Sequence, residues 1–205
     1  NPDIIINPAA YTQVDKAETD QVNAMLANAN SVEVMAKWAD NKNIPFITYS
    51  TDYVFNGNAN TPYQIDTPLI PINFYGQSKA AGEQLAIAAN PKTIIIRTSW
   101  VFSAHGNNFV KSMIRLMKER DQLNIVQDQK GRPTYAKDLA GATMQMVQLI
   151  DAGKNIHGIY HYANQGETTW YDFAVAIKNM AGLTTQVNPI ESIPSSKLIR
   201  HNGST

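Results

Sequence analysis

The chain has 205 residues, of which 43% are hydrophobic, and 17 basic and 17 acidic residues give a formal net charge of zero. This hydrophobic content suits a packed core, and the balanced charge argues against a nucleic acid or an anionic membrane as partner. No cysteine is present, which excludes disulfides and thiolate metal sites and makes the cytoplasm the default location. No metal site is predicted, because the four histidines lack ligand spacing.

The first half of the chain alternates short apolar runs with longer amphipathic segments. The pattern predicts strands at 3–7, 45–50 and 93–98, and helices at about 16–42 and 74–89. Such alternation is typical of a doubly wound α/β fold with a parallel, Rossmann-like sheet. Because the carboxyl ends of parallel strands meet at one edge, the segments after these three strands are expected to line one crevice.

The chain opens abruptly, since Asn1-Pro2-Asp3 leads straight into the run Ile4–Ile6. A run of β-branched residues is typical of a strand buried on both faces of a parallel sheet. Such a strand needs neighbours on both sides. We therefore expect the first strands of the sheet to be missing from this sequence.

The second half mixes predicted helices, at about 107–120, 135–151 and 168–181, with short strands at 123–126 and 159–162. The tail from Val187, which contains two prolines, is predicted to be loop. We interpret residues 1–100 as part of a doubly wound α/β domain. Residues 101–205 are interpreted mainly as a small mixed α/β lobe with interleaved elements.

Tyr75 and Lys79 are candidate catalytic residues, because at i and i+4 they share one helical face. A free tyrosine has a pKa near ~10, and the Lys79 charge is expected to lower it, so that the phenol exchanges a proton with a substrate oxygen. Such pairs also arise by chance, and a solvated helix pair is the alternative. Thr51, after the second strand, offers a hydroxyl to the same oxygen or caps the loop.

Other conspicuous residues are interpreted as structural. Asp15 and Glu18 suit the start of a helix, where negative charge complements the helix dipole. Trp170, also at a predicted helix start, is interpreted as a packing residue. Trp100, directly after a strand end, is the aromatic residue that we expect to contact a ligand.

Several strings in the chain resemble the dTDP-4-dehydrorhamnose reductases, which belong to the extended short-chain dehydrogenase/reductase superfamily. They run in the same order over nearly the whole chain. The strings are AAYTQVDKAE at 9–18, STDYVF at 50–55, RTSWV at 97–101, GNNF at 106–109, and the pattern D-Q-x-G-x-P-T at 128–134.

The resemblance implies reduction of the 4-keto group of a dTDP-4-dehydro-6-deoxy sugar, with NADPH or NADH, to give dTDP-L-rhamnose. Tyr75 would be the proton donor, Lys79 its partner, and Thr51 the group that polarises the keto oxygen. Thr51, Asp52 and Trp100 would contact the sugar nucleotide. The cofactor cleft would be lined by Ala9, Ala10, Tyr11, Thr12, Tyr75 and Lys79. By the same resemblance, residues 1–100 would be a partial dinucleotide-binding domain and residues 101–205 mainly a substrate-binding lobe with interleaved elements. A homodimer is the candidate assembly.

The chain departs from this family in two places. It lacks the glycine-rich turn that holds a cofactor pyrophosphate, so this stretch alone is expected to be inactive. Pro8 stands within the family's Asn-Ala-Ala-Ala string and removes a backbone donor.

Two alternatives stay open. One is a non-catalytic, nucleotide-binding regulatory subunit similar to the β-subunit of methionine adenosyltransferase, and the other is a sugar-nucleotide epimerase. A dehydratase is disfavoured, because Tyr53 stands where dehydratases carry a glutamate.

Overall fold

The computed structural model describes residues 2–192, which divide into two compact units. Residues 2–98 and Thr143–Tyr162 form the first unit, and Ser99–Ala142 with 163–192 form the second. Each unit is therefore built from two stretches of chain. Within residues 2–192, no helix combines the length and the apolar character that a membrane crossing requires.

A four-stranded parallel sheet forms the centre of the first unit. Its strands lie in the order β1 Ile5–Asn7, β2 Phe46–Thr51, β3 Thr93–Thr98 and β8 Gly158–His161. Every neighbouring pair is parallel, which confirms the predicted sheet and the α/β fold class. Ile47 and the three isoleucines of β3 are fully buried, because helices cover both faces of such a sheet.

Strand β1 lies at one edge of the described sheet. Among the described residues it pairs with β2 alone, and Ile6 is 36% exposed. The expected further strands would lie outside this sequence, so that expectation stays a prediction. A β-branched run favours extended backbone wherever it packs. It does not by itself distinguish an edge strand from a central one.

The helices between consecutive strands of the first unit cross from one strand to the next. They are α1 Val14–Ala17, α2 Gln21–Met25, a π-helical turn Leu26–Asn30, α3 Ser31–Asn41 and α4 Phe74–Ala89. The single helix predicted over 16–42 is therefore wrong in two respects, since it is interrupted after α1 and contains the π-helical turn. Apolar periodicity indicates which helical face is buried. A π-helical turn adds one residue without abolishing that periodicity, so the sequence pattern does not reveal it.

The second unit is assembled from short ladders and two packed helices. Its elements are β4 Val101–Phe102, α5 Phe109–Glu119, β5 Gln122–Val126, β6 Lys130–Gly131, β7 Thr134–Tyr135, β9 Thr168–Thr169, α7 Trp170–Met180 and β10 Gln186–Ile190. Helix α6, Ala136–Asp151, begins in this unit and continues into the first. Met113 and Met117 of α5 are buried together with Ala174 and Ile177 of α7.

The loop predicted from Val187 is wrong over its first residues. Strand β10 pairs in parallel with β5 along five residues, and Pro189 lies opposite Ile125. Proline is tolerated in this two-stranded sheet because its missing N–H can face away from the partner strand. The rest of the predicted loop, beyond residue 192, lies outside the described residues.

Candidate active site

The first two turns of α4 carry both predicted catalytic residues of the Tyr–Lys pair. Tyr75 is 9% exposed and Lys79 is 6% exposed, which excludes the solvated helix pair. The helix start is fixed by two side chains. Asn73 Oδ1 accepts a hydrogen bond from the Gly76 amide at 2.7 Å, and Glu18 Oε1 accepts one from the Phe74 amide at 2.7 Å.

Lys79 reaches from α4 to the carboxyl end of β2. Its ammonium donates a hydrogen bond to the Tyr49 carbonyl at 2.6 Å. Burial lowers the pKa of Lys79 to about 8, and the charge of Glu83 partly opposes that shift. An ammonium has three hydrogens and the Tyr49 carbonyl takes one, so donors remain for the hydroxyls of a ribose. This donor set, at the carboxyl edge of a parallel sheet, fits the nicotinamide-ribose end of a dinucleotide.

Thr51 is the last residue of β2 and meets Tyr75. Its hydroxyl donates to the Asp52 carboxylate at 3.0 Å and accepts from the Tyr53 amide at 3.3 Å. A hydrogen bond between the Thr51 and Tyr75 side chains lowers the pKa of Tyr75. The structure therefore brings these two hydroxyls together at the tip of a strand, with Lys79 one helical turn further along α4.

The pKa of Tyr75 corrects the expectation from sequence. Burial, with a smaller contribution from the charge of Asp52, raises it to about 12, and the hydrogen bond with Thr51 acts in the opposite direction. The predicted lowering by Lys79 is wrong here, because the loss of water around a buried phenolate dominates and the ammonium is bonded to the Tyr49 carbonyl. The phenol is protonated at neutral pH, as a proton donor has to be.

Asp52 and Tyr53 form the next layer of the site. Burial raises the pKa of Asp52 to about 6, and the hydrogen bond from Thr51 acts against that shift. Burial also raises the pKa of Tyr53 well above its usual value, and the charge of Asp52 adds to this effect. The Tyr53 ring meets the Tyr75 ring edge-on, with centroids 5.6 Å apart.

The segment predicted to line the cofactor cleft follows β1 and is held by a buried amide. Asn28 is 1% exposed, and its side chain accepts from the Tyr11 amide at 2.8 Å and donates to the Tyr11 carbonyl at 3.0 Å. Its Nδ2 also donates to Ser78 on α4 at 2.9 Å. Ala10 and Tyr11 are half-buried, whereas Ala9 and Thr12 are exposed.

Sequence reasoning missed Asn28. Asn28 lies in the π-helical turn. The only sequence signal that could have identified it was a polar amide on an otherwise apolar helical face. Glu18 was interpreted as a structural residue of its own helix, yet it caps α4 across 56 positions. Both side chains position the segments that carry predicted site residues.

Trp100 belongs to the second unit. Its backbone has a φ of +48°, a left-handed conformation, and its indole is stacked on Trp170 with centroids 3.5 Å apart. The same unit contains an open cavity of about 550 Å³, lined by Phe102, Tyr135 and Phe173 among others. None of the predicted site residues lines that cavity.

Comparison with known proteins decides the family. The model of the RmlD substrate binding domain matches residues 1–201. The chain belongs to the RmlD substrate-binding-domain family. This RmlD-family assignment confirms the resemblance inferred from the sequence strings.

Individual relatives support the assignment of the chain to the RmlD family. The dTDP-4-dehydrorhamnose reductase of Escherichia coli K12 is 42% identical over 198 residues, covering 95% of this chain and 66% of that protein. The enzyme of Aggregatibacter actinomycetemcomitans is 45% identical over 177 residues, covering 86% of this chain and 60% of that protein. The chain therefore spans less than two thirds of the length of these curated relatives.

A solved structure supports the same fold. The dTDP-4-dehydrorhamnose reductase of Bacillus anthracis, crystallised in complex with NADP, superposes with a TM-score of 0.90 at 38% sequence identity. The match covers 98% of this chain and 69% of that chain.

Proposed function

We propose that the protein reduces the 4-keto group of a dTDP-4-dehydro-6-deoxy sugar, dTDP-4-dehydrorhamnose, with NADPH or NADH to give dTDP-L-rhamnose. Its relatives at 41–45% identity that carry the name dTDP-4-dehydrorhamnose reductase support this reaction. The single observation that carries the proposal is the contact between Thr51 and Tyr75, with Lys79 buried one turn along the same helix.

In this proposal Tyr75 gives its phenolic proton to the keto oxygen. The raised pKa of about 12 keeps that proton in place at neutral pH until negative charge develops on the substrate oxygen. Thr51 donates its hydroxyl hydrogen to the same oxygen, in exchange for its bond to Asp52. When bound, the nicotinamide cofactor supplies the hydride.

Lys79 has two tasks in the proposal. Its positive charge does not lower the pKa of Tyr75 in this structure, and in the proposal it becomes the partner of the phenolate only after Tyr75 has given its proton to a bound substrate. Its remaining donors hold the ribose hydroxyls of the cofactor. The segment Ala9, Ala10, Tyr11 and Thr12 would line the cofactor cleft. The support for this role is the double hydrogen bond of Asn28 to Tyr11, which holds that segment in one conformation.

Asp52 and Trp100 are proposed as contacts for the sugar nucleotide, together with Thr51. A carboxylate accepts hydrogen bonds from sugar hydroxyls, and an indole packs against the apolar face of a sugar or base. The proposal includes a cytoplasmic location, supported by the absence of cysteine, and a homodimer, which light scattering of the purified full-length protein would test.

The rival function is a non-catalytic, nucleotide-binding regulatory subunit. Such a subunit has no need of a proton donor, and this chain retains Thr51, Tyr75 and Lys79 in a buried arrangement, which favours the enzyme. The test mixes the full-length protein with NADPH and a dTDP-4-keto-6-deoxy sugar. We expect the NADPH absorbance to fall and dTDP-L-rhamnose to form. A steady absorbance would rule out the reductase and leave the regulatory subunit.

A further inference from the structure

Trp100 has a backbone conformation that bulky residues rarely adopt. Its φ of +48° lies in the left-handed region, which is strained for a tryptophan and persists only where the surroundings enforce it. Hydrogen bonds hold both Trp100 and the residue before it. Ser99 Oγ donates to the Arg132 carbonyl at 2.8 Å, and the Trp100 carbonyl accepts from the Thr134 amide at 3.2 Å. The backbone at this position is therefore held from both sides.

The indole of Trp100 is held as firmly as its backbone. Trp170 stacks on it with centroids 3.5 Å apart and an angle of 14° between the rings, and Trp170 is itself 7% exposed. Gly131 packs against the same indole. A Cβ atom on Gly131 would lie 2.4 Å from Cε2 and 2.5 Å from Cζ2 of Trp100, so any other residue there would displace the ring.

These two contacts come from one short ladder. Gly131 ends β6, which pairs antiparallel with β9, and Trp170 directly follows β9. The register places Gly131 opposite Thr168. One structural element thus supplies both the stacked ring and the glycine that leaves room for the Trp100 indole.

We infer that Trp170 and Gly131 are positioning residues that hold the Trp100 indole in a fixed orientation as a platform for the sugar nucleotide. This inference rests on the proposed function, in which Trp100 contacts that ligand. A platform that is ordered before binding loses little conformational entropy when the ligand arrives, and so raises its affinity. The competing explanation is that the stacked pair serves packing alone.

A spectroscopic experiment tests whether the indole is held. Two closely stacked indoles couple their electronic transitions and produce an exciton couplet in circular dichroism. The chain has three tryptophans, and Trp38 lies in α3 of the first unit. We expect Trp38→Phe to leave the couplet intact, whereas Trp170→Phe removes one of the two chromophores and so shows that the couplet arises from the Trp100–Trp170 pair. Gly131→Ala should abolish or invert it, because the added Cβ displaces the ring.

Gly141→Ala is the matched control for Gly131→Ala, since a Cβ at Gly141 meets nothing within 4 Å in the same unit. Thermal unfolding of each variant separates loss of the couplet from loss of the fold. An unchanged couplet in a folded Gly131→Ala variant would overturn the inference, because Gly131 would then not determine how the indole lies.

Kinetics of the full-length protein test whether the held indole matters for the substrate. For Trp170→Phe we expect KM for the dTDP-4-keto sugar to rise roughly three- to tenfold, the loss that fits one misplaced aromatic contact, with KM for NADPH unchanged. Turnover by the wild type together with an unchanged sugar KM in Trp170→Phe would overturn this inference and leave the proposed function intact. A wild type without turnover would overturn both.

Discussion

At the scale of single residues, burial decides the chemistry of the site more than neighbouring charge does. Tyr75 and Lys79 sit one helical turn apart, yet the largest effect on the pKa of each is the removal of water. Burial favours the neutral form of both groups, so it raises the pKa of the phenol and lowers the pKa of the ammonium. The two shifts therefore keep the proton on Tyr75 and do not favour an ion pair between a Tyr75 phenolate and the Lys79 ammonium.

Tyr75→Phe tests the proton donor directly. In the full-length protein we expect kcat to fall by roughly 10²–10⁴, because the ring is kept and the acid is lost, while affinity for NADPH changes little. Initial rates of NADPH oxidation give the measurement. Tyr53→Phe is the matched control, since Tyr53 is a half-buried tyrosine whose ring contacts that of Tyr75. Equal losses in the two variants would contradict a special role for Tyr75.

Asp52→Asn tests the effect of burying a carboxylate. The pKa of Asp52 is about 6 in the folded chain against 3.8 for the free side chain, so the folded state binds more protons between these values. The stability from this group is fully present below pH ~3.8 and is lost as the pH rises through about 6. Above pH 7 we expect Asp52→Asn to raise the free energy of unfolding by on the order of 1–3 kcal/mol.

Urea denaturation across this pH range measures the effect of Asp52→Asn. The exposed Asp40 provides the control, because Asp40→Asn should change the unfolding free energy by no more than about 0.5 kcal/mol. An Asp52→Asn variant that keeps the wild-type pH dependence between 3.8 and 6 would show that Asp52 is not the group responsible.

At the scale of elements, the site depends on how closely the π-helical turn approaches α4. Gly82 permits this approach, since a Cβ there would lie 2.0 Å from the Asn28 carbonyl oxygen. At this close distance, Asn28 bonds Ser78 on one side and Tyr11 on the other. The crossing of two elements therefore connects the segment after β1 with the helix that carries Tyr75 and Lys79.

Gly82→Ala tests this crossing. We expect a loss of about 1–3 kcal/mol in the free energy of unfolding, because the new methyl group meets rigid backbone and the elements have to separate. Gly141→Ala should instead be neutral or stabilising by up to ~1 kcal/mol, since its Cβ has open space within a helix. Chemical denaturation compares the two, and a Gly82→Ala variant as stable as wild type would contradict the close crossing.

At the scale of the whole described chain, one buried ion pair joins three separate segments of the first unit. Arg97 of β3 donates to Glu83 of α4 from Nε at 2.9 Å and from Nη2 at 2.7 Å. Its Nη1 donates to the Ile65 carbonyl at 3.0 Å, in the long segment between β2 and α4. The guanidinium also lies 5.1 Å from the centroid of the Phe55 ring. Strand, helix and loop are therefore coupled through one side chain.

Glu83→Gln leaves the Arg97 charge buried without its partner. We expect the free energy of unfolding to fall by roughly 3–5 kcal/mol, the cost of breaking a buried pair from one side. Glu119→Gln is the control, because its pair with Arg115 is exposed (58% and 51%) and should contribute less than about 1 kcal/mol. Comparable losses in the two variants would show that burial does not set the strength of the pair.

Much of the fold and part of the site could be predicted before the structure. The three strands and the helix at 74–89 follow from local periodicity, and the position of Thr51 at the carboxyl edge of the sheet follows from the rule that parallel strands end at one edge. The grouping of Thr51 with Tyr75 came from the family resemblance. The strand at Gln186–Ile190 was missed because its partner β5 lies some 60 positions earlier and its own residues carry a proline. Local signals cannot report a pairing partner so distant in the chain.

What the sequence by itself determined is the order of the longer strands and most of the helices before β10, the family, and the residue types at the tip of β2 and the start of α4. These depend on periodicity and on strings of adjacent residues. Only the tertiary structure decided that the pKa of Tyr75 rises, that Asn28 holds Tyr11, and that Trp100 stacks on Trp170. The physical reason is that solvent exclusion and side-chain contacts depend on residues far apart in the chain, whose proximity exists only after folding.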